Sequence, residues 1–163
     1  MKKLILFTIL ITALAMSGLV PFPRSDAADL KPLQALSVAR EGRDIVLSGG
    51  ELTGRGSTWQ SAMADLQQAG DGKVFLQTAE HIILVHTAMD LLPEILSDSR
   101  LRPAAQVVFT RKPVEDVKQA AKYLSAHETG VTIGSLRTAI ANGSSAALPV
   151  LAQTEGGLRV YAP

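Results

Sequence analysis

Apolar and polar positions alternate along the chain in blocks that predict strands and helices in turn. Four consecutive apolar residues at 82–85 predict a strand covered on both faces, and the segment QVVFT at 106–110 predicts another strand. Apolar residues elsewhere recur every three or four positions, as on the buried side of a helix. The predicted helices cover 57–69, 88–96, 113–126 and 135–141. Further extended segments are predicted at 45–47, 52–53, 73–77, 148–153 and 158–161. This alternation indicates an α/β domain with a mixed, partly parallel sheet.

The first residues of the chain have the pattern of a bacterial secretory signal. Lys2 and Lys3 precede an apolar run over 4–20, which is followed by small residues of the kind that a signal peptidase reads. We expect cleavage after Ala27, with a second possible site at 13–15. An uncleaved membrane anchor is the alternative, since the run is near the short limit of a membrane span.

These patterns divide the chain into three parts. Residues 1–27 are predicted to be the signal peptide, and the polar segment 28–42, which contains Pro32, is predicted to be a linker or N-terminal arm. Residues 43–163 are predicted to form the single α/β domain. We therefore expect an exported protein, either at the outer face of the inner membrane or secreted.

Charge and composition exclude several classes of function. The net charge is +1, and the signal segment carries +2, which leaves −1 for the rest of the chain. Such a domain, with only 4% aromatic residues, is a poor candidate for nucleic-acid binding. The chain has no cysteine, so disulfides, thiol catalysis and thiolate metal sites are excluded. No cofactor is expected.

The glycine-containing stretch at 54–56 has two interpretations. A phosphate-binding loop would need a lysine or a third glycine at a set spacing, and the chain has neither there. We therefore interpret the stretch as a strand-to-helix joint, with Ser57 as the helix N-cap and Gln60 closing a capping box. Anion binding at the start of the helix is the alternative.

No set of residues in the sequence assembles a nucleophile, a base and an orienting group, so we expect no enzyme. His81 and His86 would lie on opposite faces of one strand, which argues against a shared metal ion. The candidates for a binding site are the polar residues Glu80, His81, Arg100 and Arg102. If the fold brings them together in one pocket, ligand binding is favoured.

The order of three segments resembles the N-terminal domain of the C subunit of spore germinant receptors, the Ger(x)C or GerAC-like family. In that pattern a G-x-G-x-T-x-x-x-A segment opens a helix, a K-x-F strand leads into an apolar strand, and a basic segment with proline precedes a further strand. The resemblance covers about residues 45–155. The matching positions are Gly54, Gly56, Thr58, Ala62, Lys73, Phe75, Asp98, Arg102, Pro103, 107–109 and 147–151.

The resemblance implies a non-enzymatic interaction module with a role in spore germination or sporulation. It would act at the outer face of the inner membrane or in the intermembrane space of the spore. Its partners would be membrane receptor subunits or an envelope protein, and the N-terminal segment would bring it to the membrane. The alternative is a small secreted ligand-binding protein or hydrolase on an α/β scaffold.

Overall fold

The computed structural model of the chain describes residues 30–71 and 74–162. The predicted signal peptide and both predicted cleavage sites lie outside the described residues. Within the part that is described, no helix is both long enough and apolar enough to cross a membrane.

Nine strands and four α-helices make up the described part of the chain. Two short 3₁₀ segments, Leu76–Thr78 and His86–Leu91, are also present. The strands are β1 (Lys31–Pro32), β2 (Ala35–Glu41), β3 (Asp44–Gly49), β4 (Leu52–Gly56), β5 (Val74–Phe75), β6 (His81–Val85), β7 (Gln106–Thr110), β8 (Val150–Thr154) and β9 (Gly157–Tyr161). The α-helices are α1 (Trp59–Ala69), α2 (Leu92–Ser97), α3 (Val117–Ser125) and α4 (Ile133–Ala141).

Seven of the strands form one mixed sheet in the order β4-β3-β2-β6-β7-β8-β9. Strands β2, β6, β7 and β8 run parallel to their neighbours in that group. Antiparallel hairpins complete both sides of the sheet, β2-β3-β4 on one and β8-β9 on the other. Strands β1 and β5 form a separate parallel pair. The fold is therefore a single α/β domain with a mixed, partly parallel sheet, as the sequence predicts.

Helices cover both faces of the sheet, which explains why β6 is apolar from Ile82 to Val85. Leu84 packs into the core formed with α1, α2 and α4, whereas Ile83 packs into the core formed with α3. Side chains that alternate along a strand point to opposite faces, so a strand between two helical layers must be apolar at every position. The prediction for residues 82–85 is confirmed, since all four are fully buried.

The glycines of β4 let α1 lie directly against the strand. A Cβ atom at Gly54 would meet the carbonyl oxygen of Ala62 at 2.5 Å and the Cα of Leu66 at 2.6 Å. A Cβ atom at Gly56 would collide with the backbone of Ser61 and Ala62 in the same helix. The stretch at 54–56 is thus a close-packed strand-to-helix joint.

Residue Thr58, and not Ser57, is the N-cap of α1. Its hydroxyl oxygen accepts a hydrogen bond from the Ser61 backbone N–H, and the Ser61 hydroxyl accepts one from the Thr58 backbone N–H. The capping box therefore closes through Ser61 rather than Gln60. The prediction was one residue early because Ser57 and Thr58 are both good N-cap residues.

The described part of the segment 28–42 contains β1 and β2, an interior strand of the sheet, so the predicted linker or N-terminal arm is part of the domain. Leu36 and Val38 face the first core, and Ala35 faces the second. Small residues at Ala35, Ser37 and Ala39 make the apolar pattern weak, although all three are buried. The prediction missed the strand for that reason.

Two other segments differ from the prediction. The strand predicted at 73–77 contains only β5, and the chain then turns through Leu76–Thr78. The helix predicted at 88–96 is split into the 3₁₀ segment His86–Leu91 and α2, with Pro93 in the first turn of α2 as proline requires. Met89, which the helical pattern placed on the buried side, is exposed, whereas its neighbours Ala88 and Leu91 in the same segment are buried.

Candidate functional site

A cavity of about 700 Å³ lies where the β8-β9 hairpin extends past the end of β7. Strands β7 and β8 are parallel and share one residue pair, Phe109 with Val150. Strand β8 therefore continues beyond Thr110, the last residue of β7. The chain after Thr110 turns away towards α3. This leaves a cleft between the hairpin and the segment 110–115, and ligands of parallel α/β sheets commonly bind at the carboxyl ends of the strands.

Both walls of the cleft are continuous stretches of chain. Its volume is about 700 Å³, and its lining includes all of 110–115 and all of β8. Leu158 and Tyr161 of β9 complete it. If the cleft lay on a face of the sheet, alternate residues of β8 would line it. Because consecutive residues do so, the cleft runs along the edge of the strand.

The edge of β8 that pairs with β7 at Val150 has no strand partner beyond the end of β7. The N–H of Phe109 donates to the carbonyl oxygen of Pro149 at 2.8 Å, so that carbonyl points towards β7. Alternate residues of a strand direct their main-chain groups to the same edge, so those of Leu151 and Gln153 also point that way. Since β7 ends at Thr110, no strand of the described part lies opposite Gln153.

The cleft combines an apolar base with a basic wall. Leu151 is buried, and Val114 and Leu158 are partly buried against it. The charged residues in the lining are Arg111, Lys112 and Glu115. Neither Arg111 nor Lys112 forms a salt bridge with another described residue, so their charges remain available to a ligand.

Of the four residues singled out by the sequence, Arg100 lies away from the cleft, in a buried hydrogen-bonded cluster. Its Nη2 lies 2.6 Å from Oδ2 of Asp98, and its backbone N–H donates to Oδ1 of Asp98 at 2.9 Å. The indole Nε1–H of Trp59 donates to Asp98 Oδ2 at 2.7 Å. A second arginine, Arg137 of α4, donates to the carbonyl oxygens of Leu96 and Asp98. The cluster thus joins the start of α1, the end of α2 and α4.

Electrostatics keep the carboxyl of Asp98 ionised. Burial opposes ionisation, but the hydrogen bonds from Arg100 and Trp59 outweigh it and lower the pKa of Asp98 below its ordinary value. The same pairing raises the pKa of Arg100. The hydrogen-bond donors that face the Asp98 carboxylate already bind it. The negative charge of Asp98 therefore holds these parts of the fold together.

Glu80, His81 and Arg102 lie together at the amino ends of β6 and β7. Glu80 and Arg102 form a long, solvent-exposed ion pair of 3.9 Å. His81 is buried, its Nε2 lies 3.2 Å from the hydroxyl of Ser125, and its Nδ1 has no hydrogen-bond partner among the described residues. Burial lowers the pKa of His81, because a charged imidazole would be poorly solvated there.

The four candidates therefore do not converge in one pocket. Arg100 belongs to the Asp98 cluster, whereas Glu80, His81 and Arg102 lie at the opposite end of the parallel strands from the cleft. None of them lines the cleft or the smaller cavity of about 230 Å³ beside α3. Within residues 30–71 and 74–162, no group of three or more metal-ligating side chains comes together either.

Comparison of the chain with models of protein families, with curated proteins and with solved structures gave no match.

Proposed function

We propose that this chain is an exported, non-enzymatic interaction module of the kind found in the C subunits of spore germinant receptors. The order of the segments around Gly54, Phe75 and Arg102 supports the proposal. Its partners are membrane receptor subunits or an envelope protein, and it acts outside the inner membrane. The N-terminal signal pattern over 1–27 supports export.

The observation that carries the proposal is that the charged candidate residues are paired with other side chains of the fold. Asp98 and Arg100 are paired with each other and with Trp59, and Glu80 is paired with Arg102. None of these groups lines the cleft or the smaller cavity beside α3. The cleft at β8 instead offers main-chain groups, apolar side chains and two basic residues, which suits binding better than acyl or phosphoryl transfer.

A second candidate function is a small secreted ligand-binding protein. The volume of the cleft, about 700 Å³, favours it, since small-molecule pockets usually measure about 300 to 1,000 Å³. A small ligand would be held by a few polar groups at one end of the cleft. An interaction module would use the whole length of β8, and this difference separates the two functions.

The experiment that tests the proposal is affinity purification of the tagged chain from sporulating cells of the producing bacterium. After cross-linking, we expect an inner-membrane or envelope protein to be enriched over a tagged, exported control domain. A deletion strain should form spores that germinate more slowly. Recovery of no such protein, together with normal germination of the deletion strain, would overturn the proposal.

A further inference from the structure

We propose that the cleft binds an extended, acidic segment of a partner protein, which adds as a strand to the free edge of β8. The inference rests on the proposed function, because it names the surface through which an interaction module would bind. In strand addition the main chain supplies affinity and alternate side chains supply specificity. The structure offers a separate feature for each of these two contributions.

The first feature is the unpaired main chain. The backbone N–H and C=O of Gln153 point away from β9 and into the cleft, where β7 no longer runs. Leu151 still lies opposite Thr110, the last residue of β7, so the free stretch is 152–154. It is about 10 Å long at roughly 3.3 Å per residue, which accommodates about three residues of an incoming strand. The segment 110–115 forms the opposite wall, so that a bound segment is enclosed on two sides.

The second feature is the distribution of apolar and charged side chains. Leu151, Val114 and Leu158 form an apolar base that can receive alternate side chains of the segment. Arg111 and Lys112 line the wall beside them, and Glu115 is the acidic residue in the lining. The basic excess is complementary to an Asp or Glu between the apolar residues of the segment, so we infer an acidic rather than a basic partner.

The mature chain should therefore select peptides of one pattern from a displayed library of random linear decapeptides. We expect the enriched sequences to alternate apolar residues with at least one Asp or Glu. A synthetic peptide of the enriched sequence serves as the probe in all later measurements.

A pair of substitutions at Gln153 tests the main-chain contact. Gln153→Pro removes an N–H that points into the cleft. The substitution breaks no hydrogen bond between β8 and β9, and proline is tolerated at such edge positions of a sheet. It should weaken peptide binding by about tenfold, whereas Gln153→Ala, which keeps the N–H, should bind almost as well as the wild type. Equal thermal unfolding of the two variants shows that the hairpin is intact.

A second pair of substitutions tests the charge. Lys112→Glu should weaken binding of the acidic peptide by about tenfold, and a peptide with Lys in place of its acidic residue should recover much of that loss. The matched control is Lys122→Glu, because Lys122 is an exposed lysine in the last turn of α3, away from the cleft. That variant should bind both peptides as the wild type does.

Each result decides the proposal. Failure to enrich any pattern, or binding that is equally insensitive to Gln153→Pro and Lys112→Glu, would overturn it. Self-association abolished by Gln153→Pro would also overturn it, since the occupant would then be a second copy of the chain. If a membrane partner is purified but its binding ignores these variants, the proposed function stands and this inference fails. If peptides bind as expected but no partner is found in cells, this inference stands and the proposed function fails.

Discussion

Replacing the buried carboxylate Asp98 by asparagine tests the view that the charged cluster holds the fold together. The Asp98 side chain is only 5% exposed and accepts hydrogen bonds from Trp59 and from the backbone and side chain of Arg100. Asparagine has nearly the same shape but presents an amide NH₂ where an oxygen now accepts. At least one donor is therefore left facing another donor.

The expected loss of stability is about 2–4 kcal/mol. Breaking a buried ion pair costs about 3–5 kcal/mol, and a hydrogen bond to a charged group contributes about 1.5–3 kcal/mol. The expected loss lies between these two ranges because the Arg100 side chain is 34% exposed and water can solvate part of its unpaired charge. The melting temperature should fall by about 8–16 °C, at roughly 4 °C per kcal/mol for a domain of this size.

Urea unfolding of the wild type and the Asp98→Asn variant measures this difference. The matched control is Asp90→Asn, which disrupts the ion pair with Arg40, also 2.6 Å long, but at a side chain that is 60% exposed. We expect that control to change stability by less than about 1 kcal/mol. Equal effects of the two substitutions would refute the argument that burial makes the Asp98 cluster important.

The pH dependence gives an independent check on the same carboxylate. The pKa of Asp98 is lowered in the folded protein, so its contribution is fully present above its unfolded pKa of about 3.9 and is lost as the pH falls through the folded value. The stability difference between wild type and Asp98→Asn should therefore shrink in acid. A difference that stays constant to the acid limit of the folded state would contradict the assigned role of the charge.

Three further predictions concern other features of the fold. Gly54→Ala should destabilise the domain by about 1–3 kcal/mol in urea unfolding. The control Gly156→Ala, at the uncrowded hairpin turn, should be nearly neutral. Equal effects would contradict the close packing of α1 on β4. Thr58→Ala should cost about 1 kcal/mol and Ser57→Ala close to nothing, and the reverse order would show that the N-cap is misassigned. Because burial lowers the pKa of His81, stability should be highest above its unfolded pKa of about 6.5 and should fall as the pH drops below that value. Melting temperatures over a pH series measure this slope. A His81→Gln variant with the same slope would exclude His81 as its cause.

The sequence predicts those parts of the fold whose residues are strongly apolar or strongly patterned. The segment 82–85 indicates a doubly covered strand, and the stripe of α3 indicates a helix. That helix is predicted at 113–126, but it begins only at Val117, because Asp116 is the N-cap. The strand β2 is not evident, because Ala35, Ser37 and Ala39 face α3 with small side chains that suit close packing but resemble a linker in sequence. Its place beside β6 depends on contacts between residues more than 40 positions apart.

The cleft could not be predicted from residue types. Its main features are the early end of β7 at Thr110 and the continuation of β8 past it, and both depend on the register of the pair Phe109–Val150. The polar residues that the sequence does single out, such as Arg100, are charged for a structural reason. Arg111 and Lys112 give a weak signal, since two basic residues after a strand are common on protein surfaces.

Amide hydrogen exchange at Gln153 tests most directly whether the edge of β8 is the binding surface. In the free chain this N–H has no strand partner, so its exchange should be fast compared with the N–H of Ala152, which faces β9. Addition of the selected acidic peptide, or of a partner purified from cells, should slow exchange at Gln153 and leave Ala152 unchanged. Exchange at Gln153 that stays equally fast in the saturated complex would contradict the claim that partners bind by adding a strand there.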